Sequence, residues 1–594
     1  MASTNPTKPS VIQINGGTIL GRHQPASSSS SSSSSAGYGR DMDLFYDVPY
    51  GRYRAGGGGG GGRFRRAEAC PPVLPGRTIR ADVDRGYGQP QISEGLGAGA
   101  GTRCDGDGDG DEDEERGEGE LRVHVFRACR CSSSPSSSSS LPLESSSSPS
   151  KSSSSHPLPV VIYIHGGGYN FGSPHRERDL AAWASWSKEP MVVFAVEYRL
   201  GVLGFGGTRG GVENVGLWDQ RLALGWVGEW AASFGGLVGG GVTLMGFSAG
   251  AHSIGHHLLS PHPLPIPISK AILESGGPTA RSVLSPTHER PTRQLASLRR
   301  HARDTELESM PLPDLLSAAS AVWEEEEGSL TWPFQPVVDG EAGLIPDLPV
   351  RLLDNLNAGG ETGGGGGEDR RIDVTNISLL TGFCTNEATS FISPKSDLAT
   401  FFRKLIPKLN IQELQELYPI DNNNSNNDND NNDTSSTTQR AYADYAYIAP
   451  VLQTASSFSR ASRRRVRVYE YAADPSSHGD HILPVASRLH RGSRPGLVAV
   501  AEAMLSRWTD FVVGDDEDDD DDDDDDDDEK GKCKWPPFDI DSNPSILVFG
   551  AGNDEAKGGS RPGVPVSVRR LTTLEILRYR FWWRNVHLSQ GMAC

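Results

Sequence analysis

The sequence predicts an α/β fold, with one large, mostly parallel sheet covered by helices on both faces. Two observations carry this. The runs "LPVVIYI" (158–164), "MVVFAV" (191–196), "VTLM" (242–245), "AILES" (271–275), "ISLLTG" (377–382) and "VRVYEY" (466–471) are mostly apolar throughout rather than alternating. Strands buried on both faces have that pattern. Helical patterns at 216–233, 249–259, 396–406, 439–460 and 496–513 separate most of them, and strands joined through helices form right-handed parallel crossovers. No internal repeat is present.

With 594 residues, the chain has room for two average domains or one large one with insertions. Low-complexity tracts at 27–35, 56–62, 132–155, 359–367, 422–433 and 515–529 favour the second arrangement. Their composition buries too little apolar area to offset ordering entropy, which predicts disordered loops inserted into a single domain over 11–594. The net charge of -20 is mostly local, because Asp515–Glu529 contributes 15 acidic residues and no basic one. It therefore reads as one solvated loop rather than a surface for a basic partner.

No basic patch with interleaved aromatics points to nucleic acid. The opening "MASTNPTKPSVIQINGG" has no apolar h-region, and no run of about 18 apolar residues would span a membrane. The seven cysteines are an odd number, and Cys129-Arg-Cys131 is too tight a pair for a zinc knuckle. These features predict a reduced, cytoplasmic protein without a metal or other cofactor.

The chemistry centres on Gly246-Phe247-Ser248-Ala249-Gly250, which fits G-x-S-x-G between a strand and a helical stretch. A serine there sits in a tight turn that only small neighbours permit, with its Oγ raised above the sheet edge. The helix that follows aims its N-terminal N–H groups at the same point. A second motif, His165-Gly166-Gly167-Gly168-Tyr169, follows the strand "VVIYI". Consecutive glycines let backbone N–H groups approach a substrate oxygen. A phosphate-cradling role is the weaker reading, since no G-x-x-x-x-G-K-[ST] follows.

Together with "VEYRLGVLGF", "ENVGLWDQRLALGWV", "AILESGG", "PVVDGEAGLIPD", "LLTGFCTNEATSF", "HGDHI" and "RWTDFVVGD…WPPF", these motifs resemble the type B carboxylesterase/lipase family, from about Val11 to the end. The resemblance implies an α/β-hydrolase fold, with a catalytic triad in the order Ser, acid, His. Residues alone leave the acid open among Asp339, Glu341 and Glu387. The resemblance selects Glu387, in Asn386-Glu387-Ala388, where relatives carry a D-E-G-like segment. It also selects His478 of "SSHGDHI" over His481. By the same carry-over, Gly167, Gly168 and Ala249 form the oxyanion hole, and Ser275 supports the acid from behind.

His252, His256 and His257 lie on the helix after Ser248, where a side chain cannot approach Oγ as a triad base must. His252 and His256 share a face at i, i+4 spacing, but no glutamate or third ligand completes a zinc pattern. They read as core histidines. Phe247 is a departure, because relatives often carry glutamate there; its loss argues against cationic, choline-like esters. The family's early disulfide is missing too, its second cysteine replaced within "EGEL". The expected activity is hydrolysis of small-molecule carboxylic esters. A catalytically silent adhesion-like protein and a serine amidase or peptidase remain the alternatives.

Overall fold

A computed structural model of the chain describes residues 9–26, 38–54, 62–84, 89–91, 119–130, 157–206, 212–280, 283–285, 288–303, 305–327, 332–357, 372–419, 437–486, 494–514 and 534–589. Apart from Gly62, the low-complexity tracts named above lie outside these residues.

Fifteen strands are described: β1 Pro9–Ile14, β2 Gly17–Gln24, β3 Met42–Arg52, β4 Glu68–Ala69, β5 Thr78–Arg80, β6 Glu120–Ala128, β7 Leu158–Ile164, β8 Val192–Val196, β9 Gly236–Leu237, β10 Val242–Phe247, β11 Ile268–Glu274, β12 Ser378–Cys384, β13 Val466–Tyr471, β14 Ser545–Ala551 and β15 Val564–Arg570. The main path runs β1-β2-β3-β6-β8-β7-β10-β11-β12-β13-β14-β15, with β4, β5 and β9 pairing at its margin. From β8 to β14 every neighbouring pair is parallel. The flanking pairs are antiparallel. This is the large mixed sheet of the α/β-hydrolase fold.

The apolar runs are continuous because the two faces bury alternate residues. Val160, Ile162 and Ile164 of β7, with Val192, Phe194 and Val196 of β8, point into one core. Val161, Tyr163, Val193 and Ala195 point into the other. Helices Val215–Trp230, Ala249–Leu258 and Ala449–Ala461 supply residues to the first core. Leu180–Trp186 and Pro495–Val513 cover the second, with Trp183 and Trp508 wholly buried. Among the described residues, no helix is long and apolar enough to cross a membrane.

Four differences from the sequence expectation stand out. The strands β1, β2, β3 and β6 form an antiparallel arm, β14 and β15 extend the far edge, and Thr573–Ser589 closes the chain as a helix. The stretch 439–460, expected as one helix, contains a π-helical turn at Asp444–Ile448 between two α segments.

A buried ion pair ties the end of β8 to helix Val215–Trp230 and to the backbone at residues 63–65. Arg199, just past β8, donates to Asp219 of helix Val215–Trp230 from Nε (2.7 Å), Nη2 (2.5 Å) and its backbone N–H (3.1 Å). Its Nη1 reaches the carbonyls of Arg63 and Arg65 at 3.0 and 2.8 Å. Both side chains are fully buried, so each charge depends on the other. Asp219→Ala would strand the guanidinium in the interior and is expected to cost about 3–5 kcal/mol of stability. An unfolding free energy, measured in urea, that falls by less than about 1 kcal/mol would show that the pair is not needed.

Candidate active site

The sharpest constraint lies where β10 ends. Ser248 adopts φ 51°, ψ −118°, a region costing about 1–3 kcal/mol for a residue with a side chain. Two bonds hold it there: its N–H donates to Glu274 O at 2.8 Å, and its carbonyl accepts from His252 N at 2.9 Å. The flanking glycines are dictated by space. A Cβ on Gly246 would sit 2.7 Å from the Gly250 carbonyl carbon, and one on Gly250 only 2.0 Å from Ile164 O. Among the described residues the Oγ of Ser248 makes no hydrogen bond, yet it is not one of the sealed-off polar atoms. Ala249 begins the helix, so its N–H has no intrahelical acceptor.

The glycine loop abuts this turn. Gly167 and Gly168 have φ values of +93° and +58°. A Cβ on Gly167 would lie 2.1 Å from Phe171 O, and one on Gly168 would lie 1.8 Å from the Trp332 ring. Only glycine fits either place. The Gly168 carbonyl is held by Asn170 Nδ2 and Gln335 Nε2, each at 2.9 Å. The Gly166 N–H is taken by the Glu177 carboxylate at 2.8 and 3.1 Å. The N–H groups of Gly167 and Gly168 donate to nothing among the described residues.

Glu387 and His478 stand on neighbouring loops after β12 and β13. The Glu387 carboxylate is fully buried. Its Oε2 meets His478 Nδ1 at 2.5 Å, while its Oε1 accepts from Ser275 Oγ at 2.6 Å and Cys384 N at 2.7 Å. A carboxylate that only accepts places the imidazole proton on Nδ1 and leaves the Nε2 lone pair outward. Nε2 has no hydrogen-bond partner among the described residues and is not sealed.

Asn386, a departure from the D-E-G-like pattern, stitches the two loops together. Its N–H reaches Ser476 O at 3.0 Å and its Nδ2 reaches Pro475 O at 2.9 Å. Thr389 and Ser477 add a hydroxyl bond at 2.7 Å.

The structure thus brings Glu387, His478 and Ser275 into direct contact. Ser248 Oγ is not hydrogen-bonded to His478; the link between the two loops is Phe247, whose ring centroid lies 4.7 Å from that of His478. Tyr447 at 4.5 Å and Phe391 at 5.4 Å complete an aromatic wall around the imidazole. Sequence reasoning missed Phe391, Tyr447 and Trp332, because their positions depend on how distant helices dock.

The rival residues are occupied elsewhere. Asp339 accepts from Leu344 N and Ile345 N within its own turn, and Glu341 is exposed. His481 is buried against Cys384 Sγ at 3.1 Å, and burial holds its pKa far below the usual imidazole value. His257 Nε2 pairs with Gln220 Oε1 at 2.8 Å. Neither His252 nor His256 belongs to a cluster of three potential metal ligands among the described residues. Two such clusters exist elsewhere, His23/Asp43/Cys129 and Asp47/His124/Glu197. Arg127 donates to Asp43 at 3.0 Å, and Gln89 donates to Glu197 at 3.2 Å.

Burial lowers the pKa of His256 to about 3. Its folded-state value therefore lies below its unfolded-state value of about 6.5. Between those limits the unfolded chain binds more protons, so stability falls as pH falls, by up to about 1.4 kcal/mol per pH unit. His256→Leu is expected to flatten this acid limb, measured as urea midpoints at pH 7 and pH 5. An unchanged difference between the two midpoints would show that His256 is not held neutral.

With the geometry described, comparison with known proteins adds the following. The family model described as Carboxylesterase family matches residues 121–561. Acetylcholinesterase from Gallus gallus is 38% identical over 223 residues, covering 34% of this chain and 27% of that protein. Esterase E4 from Myzus persicae is 32% identical over 208 residues, covering 32% and 35%. The chain thus spans about a third of the length of the curated relatives it matches. Among solved structures, a PNB esterase aligns over 96% of this chain and 99% of its own, with a TM-score of 0.62 and 20% identity. A thermophilic PNB esterase aligns equally widely at 0.63. At that identity the likeness is one of fold.

Proposed function

The chain belongs to the carboxylesterase family, and on that premise we propose that it hydrolyses carboxylic esters of small molecules through an acyl-enzyme on Ser248. One observation carries the reading. Glu387 is fastened by Ser275, Cys384 N and His478 Nδ1, which leaves Nε2 as the one open basic atom of the pair. His478 takes the proton of Ser248 as Oγ attacks the ester carbonyl, and Glu387 stabilises the imidazolium that forms. The N–H groups of Gly167, Gly168 and Ala249 receive the oxyanion, each worth about 3 kcal/mol of barrier. His478 then returns the proton to the leaving alcohol. Water, deprotonated by the same imidazole, releases the acid and restores Ser248.

The wall around His478 favours uncharged substrates. A glutamate at position 247 would attract a cation 4 Å away by about 4 kcal/mol at an effective dielectric of 20. Phenylalanine offers only about 0.5–2 kcal/mol through its ring face. That face is already packed against His478. The name acetylcholinesterase, carried by several relatives, therefore does not transfer to this pocket.

Ser248→Ala and His478→Ala should each lower kcat on short nitrophenyl esters by about 10⁴-fold or more, and the double variant little further, because the residues act as a unit. Wild-type protein that is inert to all esters, with Ser248 unlabelled by a fluorophosphonate, would sink the proposal. For specificity, wild type should prefer a neutral ester over its isosteric choline ester, and Phe247→Glu should narrow that ratio by about tenfold or more. A ratio unmoved by the substitution would remove Phe247 from the specificity argument.

A further inference from the structure

Behind the glycine loop stands a carboxylate that the mechanism above does not use. Glu177 ends the short helix Pro174–Glu177. Both its oxygens face the Gly166 N–H, Oε1 at 2.8 Å and Oε2 at 3.1 Å, and Oε2 also receives the Tyr163 hydroxyl. No cation lies within ion-pair distance of it among the described residues. The neighbouring Arg178 is spent on Glu274, through Nη2 at 2.5 Å and Nη1 at 3.3 Å, and Trp508 Nε1 adds a bond to the same Glu274 carboxyl at 2.9 Å. Glu177 therefore holds a polar position with no ion pair among the described residues and only the field of Arg178 beside it, at a cost in stability that its backbone contact must offset.

That contact is placed where it matters. Gly166 is the residue between strand β7 and the two glycines whose N–H groups are unused, and it has no room for a side chain. A Cβ there would lie 2.7 Å from Glu177 Oε1 and 2.8 Å from Phe247 O. The first N–H of the loop is thus captured from behind while the next two are left free. The carbonyl side is tied separately: Gly167 O accepts from Asn170 N and Phe171 N. Successive peptide planes fastened in this way cannot rotate to turn the free N–H groups away from a substrate oxygen.

We propose that Glu177 is a positioning residue of the oxyanion loop, clamping the Gly166 peptide so that the N–H groups of Gly167 and Gly168 stay turned toward the substrate. The inference rests on the esterase reading given above. The ionised carboxylate accepts with both oxygens, and protonation converts one of them into a donor. The titratable groups around it are Tyr163 on β7, Tyr198 after β8, Arg178 beside it and Glu274 on β11. Although the residue is half-buried, withdrawal from water raises its pKa to about 7. The clamp accordingly tightens as pH rises through neutrality.

The test compares wild type, Glu177→Ala and Glu177→Gln on a neutral nitrophenyl ester. Glutamine keeps an acceptor for Gly166 and a donor for Tyr163 but does not titrate. Alanine should lower kcat by about 30-fold with KM within about twofold, and glutamine should restore it to within about threefold of wild type. Because both proteins share the triad limb, the ratio of wild-type to Glu177→Gln kcat isolates the clamp and should rise by up to about threefold as pH rises through about 7. Alanine that keeps kcat within about twofold, or glutamine that falls as far as alanine, would overturn the inference. Should Glu177→Ala fail to fold, that ratio decides alone: its rise through neutrality supports the clamp, and a ratio that does not change with pH overturns it. An inactive wild type defeats the esterase reading itself, whereas an active one with an indifferent Glu177 defeats only this step.

Discussion

The catalytic face depends on how closely the helix Ala249–Leu258 can approach β7. With no side chain at Gly250, its backbone lies against the Ile164 and His165 carbonyls, where a Cβ would be 2.0 and 2.9 Å away. That approach fixes the strained Ser248 turn and sets the first N–H of the helix beside the glycine loop. The Ser248 N–H is anchored on Glu274 O at 2.8 Å, so β11 is needed as well. The strain, about 1–3 kcal/mol, persists because strand pairing, helix packing and the glycine contact all demand the same conformation.

Below this face the interior holds an unusual amount of charge. Arg199–Asp219 and Arg178–Glu274 are both fully buried. Each is costly to desolvate and repaid only by good geometry. Arg199–Asp219 fastens the end of β8 to helix Val215–Trp230, and Arg178–Glu274 ties the segment after the glycine loop to the strand that anchors Ser248. Their value lies in specifying one arrangement of loops around the sheet, since an apolar pair would allow sliding where these fixed donors do not.

Much of this was legible in the sequence, for physical reasons that vary with the element. The parallel strands announced themselves because burial on both faces makes every residue apolar, as in the six consecutive buried residues of β10. The antiparallel arm did not. In β1 buried and exposed residues alternate, and such short alternation between low-complexity tracts has little contrast. The serine turn was legible because its steric demands fall on adjacent residues. The pairing of Glu387 with His478 was not, since no short-range pattern separates Glu387 from Asp339 or Glu341; the difference lies in Ser275, which meets Glu387 only because β11 and β12 are neighbours, and in the loop after β13 that carries His478. Trp332, Phe391 and Tyr447 were invisible for the same reason, and Glu177 because its partner is a backbone N–H.

The stitch between the acid and histidine loops has a further consequence. Asn386 bonds to Ser476 and Pro475, and Thr389 bonds to Ser477, so Glu387 and His478 form a prebuilt unit before any substrate arrives. Ser248, carried two strands away from β12, belongs to a separate unit. On the proposed mechanism, the rearrangement that the first proton transfer requires is therefore concentrated in one coordinate, the gap between Oγ and Nε2. On that mechanism, an arriving acyl group that displaces the aromatic wall even slightly would act directly on that gap, which would make the fit of the substrate and the timing of proton transfer a single event.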